Sequence, residues 1–312
     1  MKRRTLLAAL PFAAVPFATV ARAQTRPGVV ASFSILADMV KEIAGDAVAI
    51  TMFVGPNGDA HEFNPKPSDL RMLSAADILV RNGLGFEPWL DRMKRSSGFK
   101  GADIVAAEKV QPRTMREEDE GHGHDHGHSH GAGRTVRDPH AWQNPRNGVL
   151  YARAIADGLA KADRANAATY QRRGADYITR IEEADAWIEA QFAAIPAAKR
   201  RIITSHDAFG YYGARYGIEF HAAQGISTES EPSAQAIAEL ARQIRSEGIR
   251  AIFVENMTNP AISQTLAREA GAVIGGEVYS DALSEADGPA ATYLTMLRHN
   301  TTLFVRALKA AE

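Results

Sequence analysis

Short apolar runs followed by stretches of helical periodicity recur on both sides of a long helix-forming segment, and this rhythm strongly constrains the fold. In the first half, "VVASF" precedes "SILADMVKEIAG", whose apolar residues fall at helical spacing. In the second half, the runs that precede helical stretches are "RRIITS", "IEFHA", "RAIFVE" and "AVIGGEVY". Alternating strands and helices are typical of doubly wound, mainly parallel sheets. The sequence therefore predicts two doubly wound α/β lobes.

The segment between the lobes, from Pro145 to Ile195, is almost entirely helix-forming. Residues 165–196 can form one long helix that carries apolar residues along its length and ends at Pro196. We therefore expect this helix to join the lobes. The expected units are a signal peptide at 1–23, an N-terminal lobe at 24–164, a linking helix at 165–196 and a C-terminal lobe at 197–312.

The first 23 residues have the features of an export signal. A basic start, "MKRR", is followed by an apolar stretch and by Ala21-Arg22-Ala23, a small-x-small cleavage pattern. The apolar stretch is short for a membrane span and contains Pro11 and Pro16. We expect cleavage after Ala23 and release into the periplasm, with the general and twin-arginine export routes both open.

Charge and cysteine content exclude several classes of partner and site. Removing residues 1–23 takes away four of the 36 basic residues and none of the 37 acidic ones, which leaves a net charge of −5 with neutral histidines. Such a surface has no general attraction for nucleic acid or for anionic lipid. The chain has no cysteine, which excludes disulfides, thiolate zinc sites and a lipid anchor at the cleavage site.

Half of the ten histidines lie in one acidic, polar tract at about 117–134. The surrounding stretch of about 107–137 lacks periodicity, which predicts a mobile surface loop. Histidines that alternate with Gly, Asp and Ser must lose conformational entropy to wrap an ion, so we expect weak, accessory zinc binding here. An inert solvated linker is the alternative interpretation. The tract histidines are His122, His124, His126, His128 and His130.

Three other histidines and one aspartate lie where a ligand site of an open α/β sheet is expected, beyond the carboxyl ends of strands. His206 directly follows "RIITS", and His61 lies in a Gly/Pro-rich turn after "VAITMFV". Asp281 lies just past the last predicted strand, and His140 lies between the tract and a helix. Each residue alone could be a capping or surface group. Together, in turns at the same edge of both lobes, they favour a metal site.

The remaining candidates are weaker. His221 lies inside a predicted strand and His299 lies on the terminal helix, so both are interpreted as structural. Asp138 and Glu255 could cap helices or turns, or could orient a metal-binding histidine from behind. Glu62 follows His61, and its side chain would face away from a shared metal.

Six motifs, in chain order, carry a resemblance to a known family: "GPNGDAHEFNPKPSD", "DPHAWQNP", "ITSHDAFGYYGARYG", "QGISTESEPSA", "IFVENMTNP" and "VYSDALS". They resemble the periplasmic metal-binding proteins of the cluster A-I (cluster 9) class of ABC importers, from about Val29 to the C terminus. The resemblance implies two α/β lobes joined by a long rigid helix, with a transition metal buried in the cleft between them. It implies that the ligands are His61, His140, His206 and Asp281.

The third ligand position divides the family. Members that resemble manganese and iron carriers tend to have glutamate where this chain has His206, whereas zinc carriers have histidine. Three imidazoles and one carboxylate suit tetrahedral zinc, and manganese prefers more oxygen ligands. In some zinc carriers, water or another carboxylate takes the fourth place, so Asp281 and water are both candidates there.

The expected function is high-affinity binding of Zn²⁺ and its delivery to an ABC permease at the inner membrane. We expect a monomer without enzymatic activity, with a periplasmic metal donor as an additional candidate partner. Manganese or iron delivery, and zinc storage or chaperoning through the histidine tract, are the alternatives. A zinc hydrolase would need an open coordination position and a general base, and the chain has no His-Glu-x-x-His motif.

Overall fold

The computed structural model describes residues 26–117, 134–225, 227–228 and 232–310. The predicted signal peptide and the five tract histidines lie outside these ranges, so both stay predictions from the sequence. Over the described ranges, no helix combines the length and the apolar character that crossing a membrane requires.

The N-terminal lobe is built on four strands, β1 (Gly28–Phe33), β2 (Ala49–Val54), β3 (Ile78–Arg81) and β4 (Ala102–Val105). All neighbouring pairs are parallel, in the order β2-β1-β3-β4. β1 is buried from its second residue onward, as expected of an internal strand that has helices on both faces of the sheet. Because all four strands are parallel, their carboxyl ends lie at one edge of the sheet, and this is the edge where ligands of such sheets bind.

Three helices connect these strands: α1 (Ser34–Ala44), α2 (Pro67–Ala75) and α3 (Leu90–Ser97). α1 follows β1 without a loop and ends at Gly45, which has the positive φ of 56° that glycine tolerates best. The apolar stripe predicted for this helix is buried against the sheet, where each large side chain contributes about 1.5–3 kcal/mol. The buried stripe consists of Ile35, Leu36, Met39, Val40 and Ile43.

The polar stretch of about 107–137 contains two strands that the sequence did not predict. Strands β5 (Thr114–Glu117) and β6 (Arg134–Arg137) pair antiparallel and form the base of a hairpin. The prediction of a loop without regular structure was therefore wrong for these eight positions. Strands of four residues are too short to show a clear alternation of apolar and polar residues.

Two long helices follow the hairpin, α4 (Pro145–Ala162) and α5 (Ala167–Phe192). α5 is the long linking helix expected from the sequence, and it ends four residues before Pro196. It packs against α4 and α1, and its buried face is lined by apolar and aromatic side chains. Such a continuous buried face holds the helix rigidly. The large members of that face are Tyr170, Tyr177, Ile181, Ile188 and Phe192.

The C-terminal lobe repeats the architecture with β7 (Arg201–His206), β8 (Glu219–Gln224), β9 (Ala251–Glu255) and β10 (Val273–Val278). All pairs are parallel, in the order β10-β9-β7-β8. The connecting helices are α6 (Gly210–Tyr216), α7 (Ala234–Glu247) and α8 (Pro260–Ala270). The prediction of two doubly wound α/β lobes with a long helix between them is confirmed.

The last helix, α9, runs over Tyr293–Ala310. It packs against β10 and against α5. Its first backbone amide, that of Tyr293, donates to Asp38 of α1 at 2.8 Å. α9 therefore ties the C-terminal sheet to the helices of the N-terminal half.

Candidate metal centre

His61 lies in the turn that follows β2. Its backbone amide donates to Asp59 Oδ1 at 2.8 Å, and the indole of Trp89 donates to the carbonyl of Ala60 at 2.9 Å. The first bond closes an Asx-type turn, which is the reason why the Gly/Pro-rich sequence folds tightly here. The ring of His61 is buried, with 6% exposure. The turn thus points one imidazole into the space between the lobes.

His140 follows β6 and is held by groups on two sides. Asp138 Oδ1 accepts from the backbone amide of His140 at 3.0 Å and lies 2.9 Å from its Nδ1. Asn82, at the end of β3, donates through Nδ2 to the carbonyl of Pro139 at 3.0 Å. The ring is fully buried, and its Nε2 is left to face the cleft.

His206 is the last residue of β7, and Glu255 is the last residue of the neighbouring strand β9. Glu255 Oε1 accepts from the backbone amide of His206 at 2.8 Å, and Oε2 lies 2.6 Å from Nδ1. Adjacent parallel strands end at the same edge of the sheet, so this pairing follows from the topology. As with His140, a carboxylate lies against Nδ1 of the ring, and Nε2 is directed into the cleft.

Asp281, three residues after the end of β10, completes the group. Its Oδ2 lies 3.0 Å from Nε2 of His61, 3.6 Å from Nε2 of His140 and 3.2 Å from Nε2 of His206. Nε2 of His61 and Nε2 of His140 are 3.2 Å apart. We refer to His61, His140, His206 and Asp281 as the His/Asp cluster.

Four of the six separations between the ligand atoms of the His/Asp cluster, at 3.0–3.6 Å, are close to the edge length of a tetrahedral metal site. Ligand bonds of about 2.0 Å at tetrahedral angles separate the ligand atoms by about 3.3 Å. One ligand atom from each residue can be chosen so that all four lie within 4.8 Å of one another, and all four residues are buried. Asp281 Oδ1 is buried without a hydrogen-bond partner, an arrangement that a bound cation relieves.

Buried carboxylates make the cluster strongly attractive to positive charge. Burial alone would lower the pKa of His140, but the charge of Asp281 and the hydrogen bond with Asp138 raise it to about 9. The pKa of His206 also lies well above its usual value, because Glu255 and Asp281 outweigh its burial. Burial would raise the pKa of Asp281, but the charges of His140 and His206 hold it well below its usual range. A divalent ion can replace the protons that this field favours.

An aromatic wall covers the N-terminal side of the cluster. The ring of Phe86 lies edge-on to His61 with centroids 4.8 Å apart, and Trp142 lies 5.4 Å from His140. Both aromatic residues are buried. An apolar wall of this kind limits the access of water and strengthens the electrostatic interactions inside the site.

Two side chains from the "DPHAWQNP" motif reach across to the loop that carries Asp281. Trp142 Nε1 and Gln143 Nε2 both donate to the carbonyl of Ser280, at 2.8 Å and 2.7 Å. These bonds place the carboxylate of Asp281 beside His140. Trp142, Gln143 and Phe86 were not predicted from the sequence, although the first two lie within the "DPHAWQNP" motif.

The other candidates lie outside the cluster. Glu62 is exposed, as expected, and His221 lies 3.3 Å from Glu219. His299 Nε2 lies 2.9 Å from the carbonyl of Glu277. In the described part of the chain, the His/Asp cluster is the only group of three or more histidines and carboxylates placed to share a metal ion.

Two parallel-sheet lobes with a buried cluster of three imidazoles and a carboxylate between them define a bilobal metal-binding protein. The sequence model of one family, described as "zinc-uptake complex component A, periplasmic" (ZnuA), matches residues 29–307. The chain belongs to this family. It is therefore the metal-binding component of an ABC importer, a binding protein and not an enzyme.

Several relatives cover nearly the whole chain. The manganese-binding lipoprotein MntA of Halalkalibacterium halodurans is 31% identical over 280 residues, which are 90% of this chain and 88% of the relative. The iron-binding protein YfeA of Yersinia pestis is 29% identical over 269 residues, 86% of this chain and 82% of the relative. Among solved structures, the periplasmic zinc-binding protein TroA of Treponema pallidum superposes with a TM-score of 0.81, at 29% identity and with 91% of this chain and 99% of that chain covered. The names of these relatives thus span three metals.

Proposed function

We propose that this protein binds Zn²⁺ between its lobes and delivers it to the permease of its ABC importer. The observation that carries the proposal is the donor set of the His/Asp cluster, with three buried imidazole nitrogens and one carboxylate oxygen within 4.8 Å of one another. Zinc takes this combination readily in four-coordinate sites, whereas manganese prefers six ligands that are mostly oxygen.

The proposed roles of the residues follow from their contacts. Nε2 of His61, His140 and His206 and one carboxylate oxygen of Asp281 bind the ion. Asp138 and Glu255, each against the Nδ1 of one histidine, fix the ring orientation and leave Nε2 free for the metal. Carboxylates in this position also make the imidazole a better donor.

Delivery of manganese or iron is the second candidate, and the names of the relatives MntA and YfeA favour it. The presence of His206 in the cluster argues for zinc, because a nitrogen ligand at this position reduces the share of hard oxygen donors. We further propose export by cleavage after Ala23, a monomeric mature protein, and lobes at 24–164 and 197–312 joined by the helix at 165–196.

Two measurements test the proposal. The first is elemental analysis of protein purified without added metal, and the second is competitive titration with zinc and manganese. We expect one tightly bound zinc per chain and a dissociation constant for zinc at least about a hundredfold below that for manganese, about 2.7 kcal/mol. Equal affinities, or a purified protein that contains only manganese or iron, would favour the second candidate. Absence of any tight divalent metal would refute both.

A further inference from the structure

Arg113 lies at the base of the β5–β6 hairpin, where the two lobes meet behind His140. Its carbonyl accepts from the backbone amide of Asp138 at 3.0 Å, and its own amide donates to the hydroxyl of Tyr211 at 2.8 Å. The first contact lies within the N-terminal lobe, and the second reaches α6 of the C-terminal lobe. The backbone of Arg113 is thus fixed to both lobes.

The guanidinium of Arg113 makes the same connection a second time. Nη1 donates to the carbonyl of Gly210 at 2.6 Å, and Nε lies 3.8 Å from Asp138 Oδ2. Asp138 is fully buried, and both Nε and Oδ2 are buried without a hydrogen-bond partner. The two atoms therefore depend on each other for electrostatic compensation.

The approach of α6 to this pair requires glycine. A Cβ atom on Gly210 would lie 2.8 Å from Asp138 Oδ2 and 3.3 Å from Cζ of Arg113. Gly210 follows His206 by four residues, so the helix that packs on Asp138 belongs to the segment that carries another member of the His/Asp cluster. Tyr211 adds a bond from its hydroxyl to the carbonyl of Asp138 at 3.3 Å.

We propose that Arg113 is a positioning residue for the metal site, which it serves by holding Asp138 between the two lobes. Oδ1 of Asp138 serves His140, and Oδ2 faces Arg113, so the carboxylate is oriented from both sides. Arg113 makes this contact while it also binds α6. The orientation of His140 is therefore linked to the packing of the lobes. Because Arg113 maintains this orientation, it slows the release of metal from the site. This inference rests on the proposed metal binding at His140.

Removal of the guanidinium leaves Oδ2 of Asp138 buried without the cationic side chain that faces it. A buried carboxylate that loses its partner turns towards water or another donor. This movement weakens its hold on Nδ1 of His140, and loss of such supporting contacts typically costs tenfold to a hundredfold in metal affinity. Because Arg113 acts through Asp138, we expect an effect at the lower end of this range.

The experiment compares Arg113→Gln and Arg113→Lys with the parent and with a control, Arg268→Gln. Arg268 is an exposed residue of α8 whose guanidinium donates to the hydroxyl of Thr265. The zinc dissociation rate is measured with an excess of a chromogenic chelator, and Co²⁺ absorption spectra report the geometry of the site. For Arg113→Gln we expect about tenfold faster zinc release and an altered Co²⁺ spectrum. Arg113→Lys, which keeps the charge, should recover most of the slow release, and Arg268→Gln should match the parent.

A purely structural role for Arg113 would lower the melting temperature of Arg113→Gln but leave the release rate and the Co²⁺ spectrum of the folded protein unchanged; that result overturns the inference. If Arg113→Gln does not fold, Gly210→Ala tests the same three-way contact from α6, with the same expected and contrary results. Failure of the proposed function is distinguishable, because the parent itself would then bind no metal tightly or would be unaffected by His140→Ala.

Discussion

Glu255 holds His206 at two points, with one carboxylate oxygen 2.8 Å from the backbone amide and the other 2.6 Å from Nδ1 of the ring. Both residues are fully buried at the ends of neighbouring strands. The carboxylate therefore sets the position of the main chain and the orientation of the imidazole together. A metal that binds Nε2 of His206 meets a ring that is already oriented, so little conformational entropy is lost on binding.

Glu255→Gln is expected to weaken zinc binding by about tenfold or more, because an amide cannot stabilise the metal-bound imidazole as a carboxylate does. Competition with a chelator of known affinity measures the change. Glu269→Gln, at an exposed position of α8, is the matched control and should bind as the parent does. Parent-like affinity of Glu255→Gln would show that Glu255 has no role in tuning His206.

Single alanine substitutions of His61, His140 and His206 should each reduce zinc affinity by at least about tenfold, or about 1.4 kcal/mol. In each variant water must replace an imidazole, and water is a weaker ligand. Asp281→Ala should also weaken binding, but less, because a water molecule can take over part of its role. Titration with zinc checks all four.

His221→Ala provides the control for these variants, since His221 lies outside the cluster, near Glu219. It should retain the affinity of the parent. Any of the three cluster histidines whose alanine variant behaves like His221→Ala is not a ligand.

His206→Glu should shift the preference from zinc towards manganese, because a hard carboxylate replaces a nitrogen ligand. The ratio of the zinc and manganese dissociation constants is the quantity to measure. His206→Gln, which removes the imidazole without adding charge, separates loss of the ligand from gain of the carboxylate. An unchanged ratio in His206→Glu would contradict the role given to this position.

The pKa shifts predict that zinc binding releases protons at neutral pH. His140 has a pKa of about 9 in the metal-free fold, above its ordinary value of 6.5, and the pKa of His206 is raised as well. Protonated His140 thus stabilises the metal-free fold fully below pH 6.5, and this contribution is lost as the pH rises through about 9. Zinc competes with that proton, so its affinity should increase with pH over the same window.

Calorimetry at pH 7 in buffers with different ionisation enthalpies measures this release directly. At least about one proton should leave per zinc bound, since a metal-bound imidazole must be neutral. The dependence on buffer should decrease in His140→Ala. A binding enthalpy that is the same in all buffers would mean that the cluster is already deprotonated at pH 7.

Features that depend on local sequence were predictable. His206 was placed by the strand that it ends, and Asp281 by the strand that precedes it, because parallel strands bring their carboxyl ends to one edge. Asp138 and Glu255 were recognised as candidates for orienting histidines, and they lie against the Nδ1 atoms of His140 and His206.

Features that depend on contacts between distant segments were not predictable. Arg113 contacts Gly210 across 97 positions, and Trp142 contacts Ser280 across 138. The periodicity of a single sequence does not identify contacts between distant residues. An arginine in a polar stretch is expected to be exposed to solvent. The hairpin strands β5 and β6 were missed for a related reason, since their pairing spans the histidine tract.

Deletion of residues 118–133 should leave one tight zinc site and remove additional weak ones. The deletion keeps strands β5 and β6, and all four residues of the His/Asp cluster lie outside it. Five closely spaced imidazoles can bind zinc without a preformed cage, and these weak sites should fade below about pH 6.5, where free imidazole is protonated.

A second variant that replaces the five tract histidines with glutamine keeps the length of the chain and should give the same result. Calorimetry at neutral pH compares the parent with both variants. Loss of the tight site would show that the metal binds in the tract, as a storage or chaperone function requires, whereas equal stoichiometry in all three proteins would show that the tract is an inert linker.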